Sequence, residues 1–192
     1  MYKLVGFIII FCSFTLRSQS LRFNPKIGFA EFDFNFEKES EVNPNILNSI
    51  GSDIRIGDRA YFINTGLHYS KDDFYNDRSQ NFINQSIHFI RIPTQVGLYL
   101  TKRDGAFVMY IKGGLTNNIF LLNSGDANIL NEKIARINLA GNLGFGFDLF
   151  KYANIGFDYD LELSNYFKID PIIAKRNVYM FSVGLNFDYF KN

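Results

Sequence analysis

Apolar and polar residues alternate with a period of two along most of this chain, and helical periodicity is scarce. The clearest stretch runs from Ile155 to Leu163, where odd positions are apolar or aromatic and even positions are Gly, Asp or Glu. Such alternation is typical of β-strands with one apolar face. Eight segments of this kind are predicted, at residues 26–36, 48–57, 60–70, 87–101, 106–120, 133–149, 152–163 and 175–190. Several of them reach the 9–11 or so residues that a tilted strand needs to cross a bilayer.

The connections between these segments alternate strictly between short and long. Short ones lie at residues 57–59, 102–105 and 150–151, whereas long ones, rich in Asn, Asp, Ser and Lys, lie at about 37–47, 71–86, 121–132 and 164–174. Short periplasmic turns and long outside loops are typical of outer-membrane barrels. We therefore predict an all-β fold, an eight-stranded antiparallel up-and-down transmembrane β-barrel with both termini on the short-turn side.

Two places do not fit a simple alternation. In the first segment Ile27 and Phe29 share parity with Glu31 and Asp33, and a bulge near residues 28–30 would bring both acids to the polar face. Pro93 lies inside the fourth segment, where it removes a hydrogen-bond donor from the ladder. A second local bulge is expected there.

The first twenty residues have the pattern of an export signal, with Lys3 followed by an apolar stretch at residues 4–16. Cleavage is expected after Ser20, and cleavage after Ser18 fits nearly as well. We therefore expect a signal peptide at residues 1–20 and a β-barrel domain at residues 21–192.

Removal of the signal determines the chemistry left to the mature chain. Cys12 leaves with it, so neither a disulfide nor a cysteine site for metal or catalysis is expected. The basic residues fall from 20 to 18 against 19 acidic ones. Without a basic footprint, no nucleic-acid partner is expected.

Alternation alone does not tell which face is inside, since a soluble lipocalin-like barrel has the opposite arrangement. The polar face carries many glycines, which would make room for long charged side chains in a narrow lumen. Aromatic residues at strand ends resemble interfacial girdles. These features favour a membrane barrel with a lumen charge network of Glu31, Asp33, Arg55, Arg91, Lys112, Arg136, Asp158, Asp160 and Glu162. In it, the acidic ladder of the seventh segment would pair with Arg136 and with Arg91 or Lys112.

Three stretches, Lys26–Phe29, Phe89–Leu100 and Tyr110–Leu115, carry a family likeness. In them the chain resembles the PorT-like family of outer-membrane β-barrel proteins from Bacteroidota-type, Gram-negative bacteria, and the likeness extends over the whole mature chain. An Ile-Pro after a strand start recurs in that family and would account for Pro93. The resemblance implies an outer-membrane location and a possible partner in an envelope or secretion complex, because the family's namesake is linked to secretion. It implies no reaction.

The last segment resembles the assembly signal of outer-membrane barrels. Ser182, Gly184, Phe187 and Tyr189 match its polar-x-Gly-x-x-aromatic-x-aromatic spacing, although three residues follow the final aromatic. The resemblance implies the barrel-assembly machinery as a partner during biogenesis, and outer-membrane lipid afterwards.

Chemistry-bearing residues are few. His68 and His88 bracket one long loop, with Ser70 and Ser86 two positions away, and a two-histidine metal site or a rim hydrolase is conceivable. No third ligand at suitable spacing supports a metal, and no cofactor is expected. We expect a small non-enzymatic barrel that binds through its long outside loops or belongs to an envelope complex. The alternatives are a rim-active lipid-modifying enzyme and a soluble periplasmic ligand carrier.

Overall fold

A computed structural model describes residues 20–36, 46–58, 60–74, 85–103, 105–124, 135–165 and 174–189. None of these residues forms a helix long and apolar enough to cross a membrane. The strands are β1 (Ser20–Phe36), β2 (Ile46–Asp58), β3 (Tyr61–Phe74), β4 (Gln85–Tyr99), β5 (Phe107–Ser124), β6 (Ile137–Leu149), β7 (Ala153–Glu162), β8 (Ala174–Leu185) and β9 (Phe187–Tyr189). Because β9 continues β8 in one register against β1, the predicted eight strands are confirmed.

Each strand pairs antiparallel with its neighbours in the chain, and β1 closes the sheet by pairing with both β2 and β8. If one starts at Ile111 of β5 and moves from each residue to its partner on the next strand, the path around the barrel returns to β5 at Leu122, eleven positions further along. One of these eleven positions is a bulged residue, so the shear of the barrel is ten. With ordinary strand spacings this shear tilts the strands by about 41°. Ten residues of strand then span about 25 Å, the height of an outer-membrane apolar band. The path passes through Phe145, Phe157, Phe181, Phe29, Asn48, Lys71 and His88.

Neither of the two predicted bulges forms at its predicted place. β1 pairs with both neighbours without a register shift between residues 26 and 31, so Glu31 stays on the outward face with Phe29 and is exposed. The side chain of Asp33 lies outside the described residues. The register shifts instead between His88 and Phe89, where Leu121 of β5 is the extra residue. Pro93 lies in a gap of the β3–β4 pairing, which accommodates a residue without an N–H.

The apolar face of the barrel points outward and the charged face inward. Along the described strands, large hydrophobic side chains recur at alternate positions and are exposed on this outer face, for example Leu67, Leu143 and Leu185 at 57%, 68% and 54% exposure. The buried polar and charged side chains alternate with them. Side chains that point into the barrel are therefore shielded by one another and by the sheet, and the outer surface is a broad apolar band.

Glycines on the inner face make the space that the large lumen side chains occupy. A Cβ at Gly97 would stand 2.1 Å from the Phe62 ring, and one at Gly144 would stand 2.4 Å from an Asp158 oxygen. Gly141 lies on the outer face, and a Cβ there would meet its nearest neighbour at 3.9 Å. The contrast explains why a narrow barrel with long charged side chains needs glycine on its inner face.

Candidate functional site

The turn end of the lumen is closed by one carboxylate shared between two guanidinium groups. Asp148, 1% exposed, forms ion pairs with Arg22 and, at 2.9 Å, with Arg55. Asn154 Nδ2 donates to the other Asp148 oxygen at 2.8 Å. Asp188, at the mouth, accepts a second hydrogen bond from Arg22 Nε at 2.5 Å. These bonds hold the charged groups against one another at this end of the lumen.

Aromatic rings complete this end of the lumen. The Arg55 guanidinium lies 4.7 Å from the centroid of the Phe62 ring and 4.2 Å from that of Tyr110, within the range of cation–π attraction. Phe62 and Tyr110 meet edge to face at 5.5 Å, and Asn154 donates to the Tyr110 hydroxyl at 2.7 Å. Burial of a charge is tolerated here because both its ion pair and its π contacts replace water.

The middle of the lumen carries a continuous chain of polar contacts across β4, β5, β6 and β7. Lys112 Nζ lies 2.8 Å and 3.0 Å from the two Asp158 oxygens. Arg91 pairs with Asp160, which also accepts from the Asn142 amide. Gln95 in turn donates to the Asn142 side-chain oxygen. Each charge in this chain thus has an opposite charge beside it.

A second group in the same layer joins β1, β2 and β3. Lys26 Nζ lies 2.6 Å from one oxygen of Asp53, and His68 Nε2 lies 2.7 Å from the other. All three side chains are buried. A Cβ at Gly66 would stand 2.3 Å from Asp53 Oδ1, so this glycine leaves room for the pair.

The loop end of the described lumen is partly apolar. Ile87, Phe89 and Val178 are buried there, and the Arg176 guanidinium lies 5.2 Å from the Phe89 ring. Glu162 accepts from the Arg176 backbone N–H at 3.2 Å. Among the described residues the lumen buries six basic and five acidic side chains, which makes the interior almost neutral. These are Arg22, Lys26, Arg55, Arg91, Lys112 and Arg176 against Asp53, Asp148, Asp158, Asp160 and Glu162.

The structure brings six of the nine predicted network residues into the lumen, namely Arg55, Arg91, Lys112, Asp158, Asp160 and Glu162. Arg136 is exposed just before β6, and Glu31 is exposed on the outer face. The expected partnership of Arg136 with the acidic ladder is therefore wrong. Lys112 and Arg91 hold Asp158 and Asp160 instead.

Several lumen groups were missing from the predicted network. Arg22 precedes the predicted first segment, because β1 begins six residues earlier than its alternation suggested. The alternation does place Lys26 and Asp148 on the inner face, since each lies at a position of the polar face of its segment. His68 was interpreted as a rim residue, whereas it is 5% exposed inside the barrel.

The two histidines lie on opposite faces of the sheet. The His88 ring is hydrogen-bonded to the Tyr69 hydroxyl on the outer face, whereas His68 faces the lumen. Ser70 is fully buried and donates to Ser49 Oγ at 3.2 Å. Neither the two-histidine metal site nor the rim serine–histidine pair is assembled. In the parts of the chain that the structure describes, no three His, Cys, Asp or Glu side chains could hold a metal.

The space left in the middle of the lumen is small. One cavity of about 20 Å³ lies among Lys26, His68, Arg91, Thr116 and Asn142. That volume holds about one water molecule. Side chains thus fill the lumen in its described part, as an eight-stranded barrel allows.

The residues of the predicted assembly signal divide between the two faces. Ser182 and Gly184 are buried on the inner side, where Ser182 donates to the Gly156 carbonyl at 3.4 Å. Phe187 and Tyr189 are exposed at 46% and 55%. Their role in assembly stays a prediction.

The described part of the barrel has the fold of small outer-membrane proteins of known structure. The attachment invasion locus protein Ail of Yersinia pestis, in complex with the heparin analogue sucrose octasulfate, aligns with 13% identity and a TM-score of 0.52, over 87% of this chain and 99% of that one. Neisserial surface protein A aligns with 12% identity and a TM-score of 0.55, over 89% and 100%. At such identity the likeness shows the fold, an eight-stranded outer-membrane-type β-barrel.

No protein-family model and no curated protein matches the sequence. The finer resemblance to PorT-like proteins accordingly stays a prediction.

Proposed function

We propose that this protein is a non-enzymatic outer-membrane barrel that acts through its long outside loops, by binding a partner or as a member of an envelope complex. The observation that carries the proposal is the direction of the two faces. A band of exposed apolar side chains surrounds a lumen lined by charged side chains whose positive and negative charges nearly cancel. Such a surface suits lipid and is costly in water.

The two alternatives find less support. A lipocalin-like carrier needs an apolar interior, whereas the described lumen buries charged side chains in its middle and leaves about 20 Å³ among them. A rim hydrolase needs an accessible nucleophile beside its base, whereas Ser70 is fully buried and bonded to Ser49. The filled lumen also disfavours a diffusion pore, which leaves the loops to carry binding.

The chemistry of the loops sets the class of partner. In the four long connections between the observed strands five basic residues stand against seven acidic ones, so their net charge is −2: Lys38, Arg78, Lys133, Arg136 and Lys168 against Glu37, Glu39, Glu41, Asp77, Asp126, Glu132 and Asp170. Ail was crystallised with a sulfated sugar analogue. Acidic loops repel such polyanions, so we expect a neutral or cationic partner here.

Single cysteines test the proposal, because the mature chain after signal removal has none. Ser79→Cys in a long loop and Ala106→Cys beside a short turn are labelled on intact cells with a membrane-impermeant maleimide. Labelling of Ser79→Cys alone supports the orientation, and labelling of Ala106→Cys on intact cells contradicts it. A cysteine-reactive crosslinker on each of the four loops in turn should then capture one reproducible envelope partner. Absence of any adduct from all four loops would contradict binding through them.

A further inference from the structure

The turn between β6 and β7 has a backbone conformation that residues with side chains seldom adopt. Phe150 and Lys151 have φ angles of 49° and 66°, and the Tyr152 N–H donates to the Leu149 carbonyl at 3.0 Å. Positive φ at both central residues is the signature of a type I′ turn, for which Asn-Gly and Asp-Gly are the favoured sequences. Left-handed backbone is unfavourable for Phe and Lys. A compensating contact of these two side chains is therefore expected.

For Phe150 the barrel itself does not supply that contact. Phe150 is 70% exposed and Tyr152 is 74% exposed, the two highest values among the exposed large hydrophobic side chains of the described residues. The turn is nevertheless tied to both neighbouring connections. The Phe150 N–H donates to the Ala106 carbonyl at 2.6 Å, and the Asn186 N–H donates to the Tyr152 carbonyl at 2.7 Å. A fixed backbone thus presents the two rings away from the protein, with the half-buried Lys151 between them.

The surroundings of the turn suit the boundary between hydrocarbon and headgroups. Exposed aromatic side chains lie at the same end of the barrel: Tyr61, Phe107, Phe187 and Tyr189. The three short connections between the observed strands carry four basic residues and one acidic residue, a net charge of +3: Arg59, Lys102, Arg103 and Lys151 against Asp104. Aromatic rings prefer this depth of a bilayer, and basic side chains beside it attract lipid phosphates. The long connections, with their net charge of −2, lack this charge complementarity.

We propose that the Phe150–Lys151 turn is a lipid-binding anchor, in which the Phe150 ring enters the boundary region and the Lys151 ammonium pairs with a phospholipid phosphate of the leaflet at the short-turn end. The inference rests on the proposed membrane location. The proposed anchor explains why this type I′ turn carries Phe150 and Lys151 in place of the favoured Asn-Gly or Asp-Gly. The anchor would fix the depth of the barrel in the leaflet.

The test compares lipid composition rather than stability alone. The full mature chain is folded into vesicles of phosphatidylcholine, and into vesicles that also contain the anionic phosphatidylglycerol, and is unfolded with urea. In the anionic vesicles we expect Lys151→Gln to lower the ratio of folded to unfolded protein by about fivefold, the size expected for one basic side chain at an anionic surface. In phosphatidylcholine alone the loss should be clearly smaller, and Lys151→Arg should restore the wild-type response.

A second variant separates the anchor from the turn. Phe150→Asn with Lys151→Gly supplies the favoured type I′ sequence, so a purely structural turn would become more stable in both kinds of vesicle. We expect this variant to lose the preference for anionic vesicles and to be less stable there than the wild type. A variant as stable as the wild type in anionic vesicles, or a Lys151→Gln loss that is the same in both kinds of vesicle, would overturn the proposal; the latter would indicate that Lys151 acts through a contact within the barrel. Failure of the wild type to fold into either vesicle would refute the membrane location itself.

Discussion

The charge cluster at the turn end of the lumen offers the sharpest test of how the barrel is held together. Asp148 is 1% exposed and serves both Arg22 and Arg55. In Asp148→Asn the side chain keeps its shape and loses its charge. Arg22 would keep Asp188, whereas Arg55 would lose its carboxylate while it stays 4% exposed. Removal of one partner from a buried pair costs about 3–5 kcal/mol, because the remaining charge lies in a medium of low polarity.

The matched control is Asp188→Asn, which removes the other carboxylate of the same cluster. The side chain of Asp188 is 28% exposed, so water screens its pairing with Arg22 and the expected loss is about 1 kcal/mol or less. Both variants are measured by urea unfolding in vesicles, followed by the fraction that keeps the mobility of the folded form in unheated electrophoresis. The double variant Asp148→Asn with Arg55→Met should recover most of the loss, since it removes the unpaired charge. Equal losses in the two single variants, or no recovery in the double variant, would refute the reasoning.

Three further predictions follow from the packing, the first strand and the lumen. Gly97→Ala should reduce folding severely, because its Cβ would stand 2.1 Å from the Phe62 ring. Gly141→Ala on the outer face should fold like the wild type, because its Cβ would stand 3.9 Å from its nearest neighbour. For both variants, the folded fraction is measured as the protein whose electrophoretic mobility changes on heating. Of the two cleavage sites in the sequence, the one after Ser18 is now preferred to the expected one after Ser20, because the Ser20 hydroxyl donates to the Gly57 carbonyl at 2.8 Å; mass spectrometry of the mature protein should then find Gln19 at the N-terminus, and a chain beginning at Leu21 would contradict this. Planar bilayers with the purified wild type should show no stable open channel, because side chains fill the lumen, and a steady large conductance would disprove that filling.

The fold was predictable because its determinants are local. Alternation identifies a strand and its two faces, and strictly alternating connection lengths give an up-and-down order with closure. The predicted strand ends differ from the observed ones, as at β1, where Leu21, Phe23 and Pro25 on the outer face give a weaker pattern before Lys26. The inward direction of the glycines was predictable for the same reason, since crowding in a narrow lumen leaves no room for a Cβ at Gly97 or Gly144.

The partners inside the lumen were less predictable because they depend on register and shear. The sequence places Arg136 and Asp158 on polar faces of adjacent segments, yet Arg136 lies beyond the start of β6 and is exposed. Lys112 reaches Asp158 from β5, two strands away, by passing over Gly144 of the strand between them. Glu31 was assigned inward through a bulge that does not form, while the bulge at Leu121 left no signal in an apolar run.

The central claim is that the apolar face of this barrel meets lipid, and one electrophoretic measurement tests it most directly. Cell envelopes are fractionated, and the protein in the outer-membrane fraction is run in SDS without heating and after boiling. A closed barrel resists SDS until heated, because every strand edge is paired. The account predicts that the protein sediments with outer membranes and changes mobility on boiling. Recovery in the soluble periplasm, with one mobility before and after boiling, would contradict it.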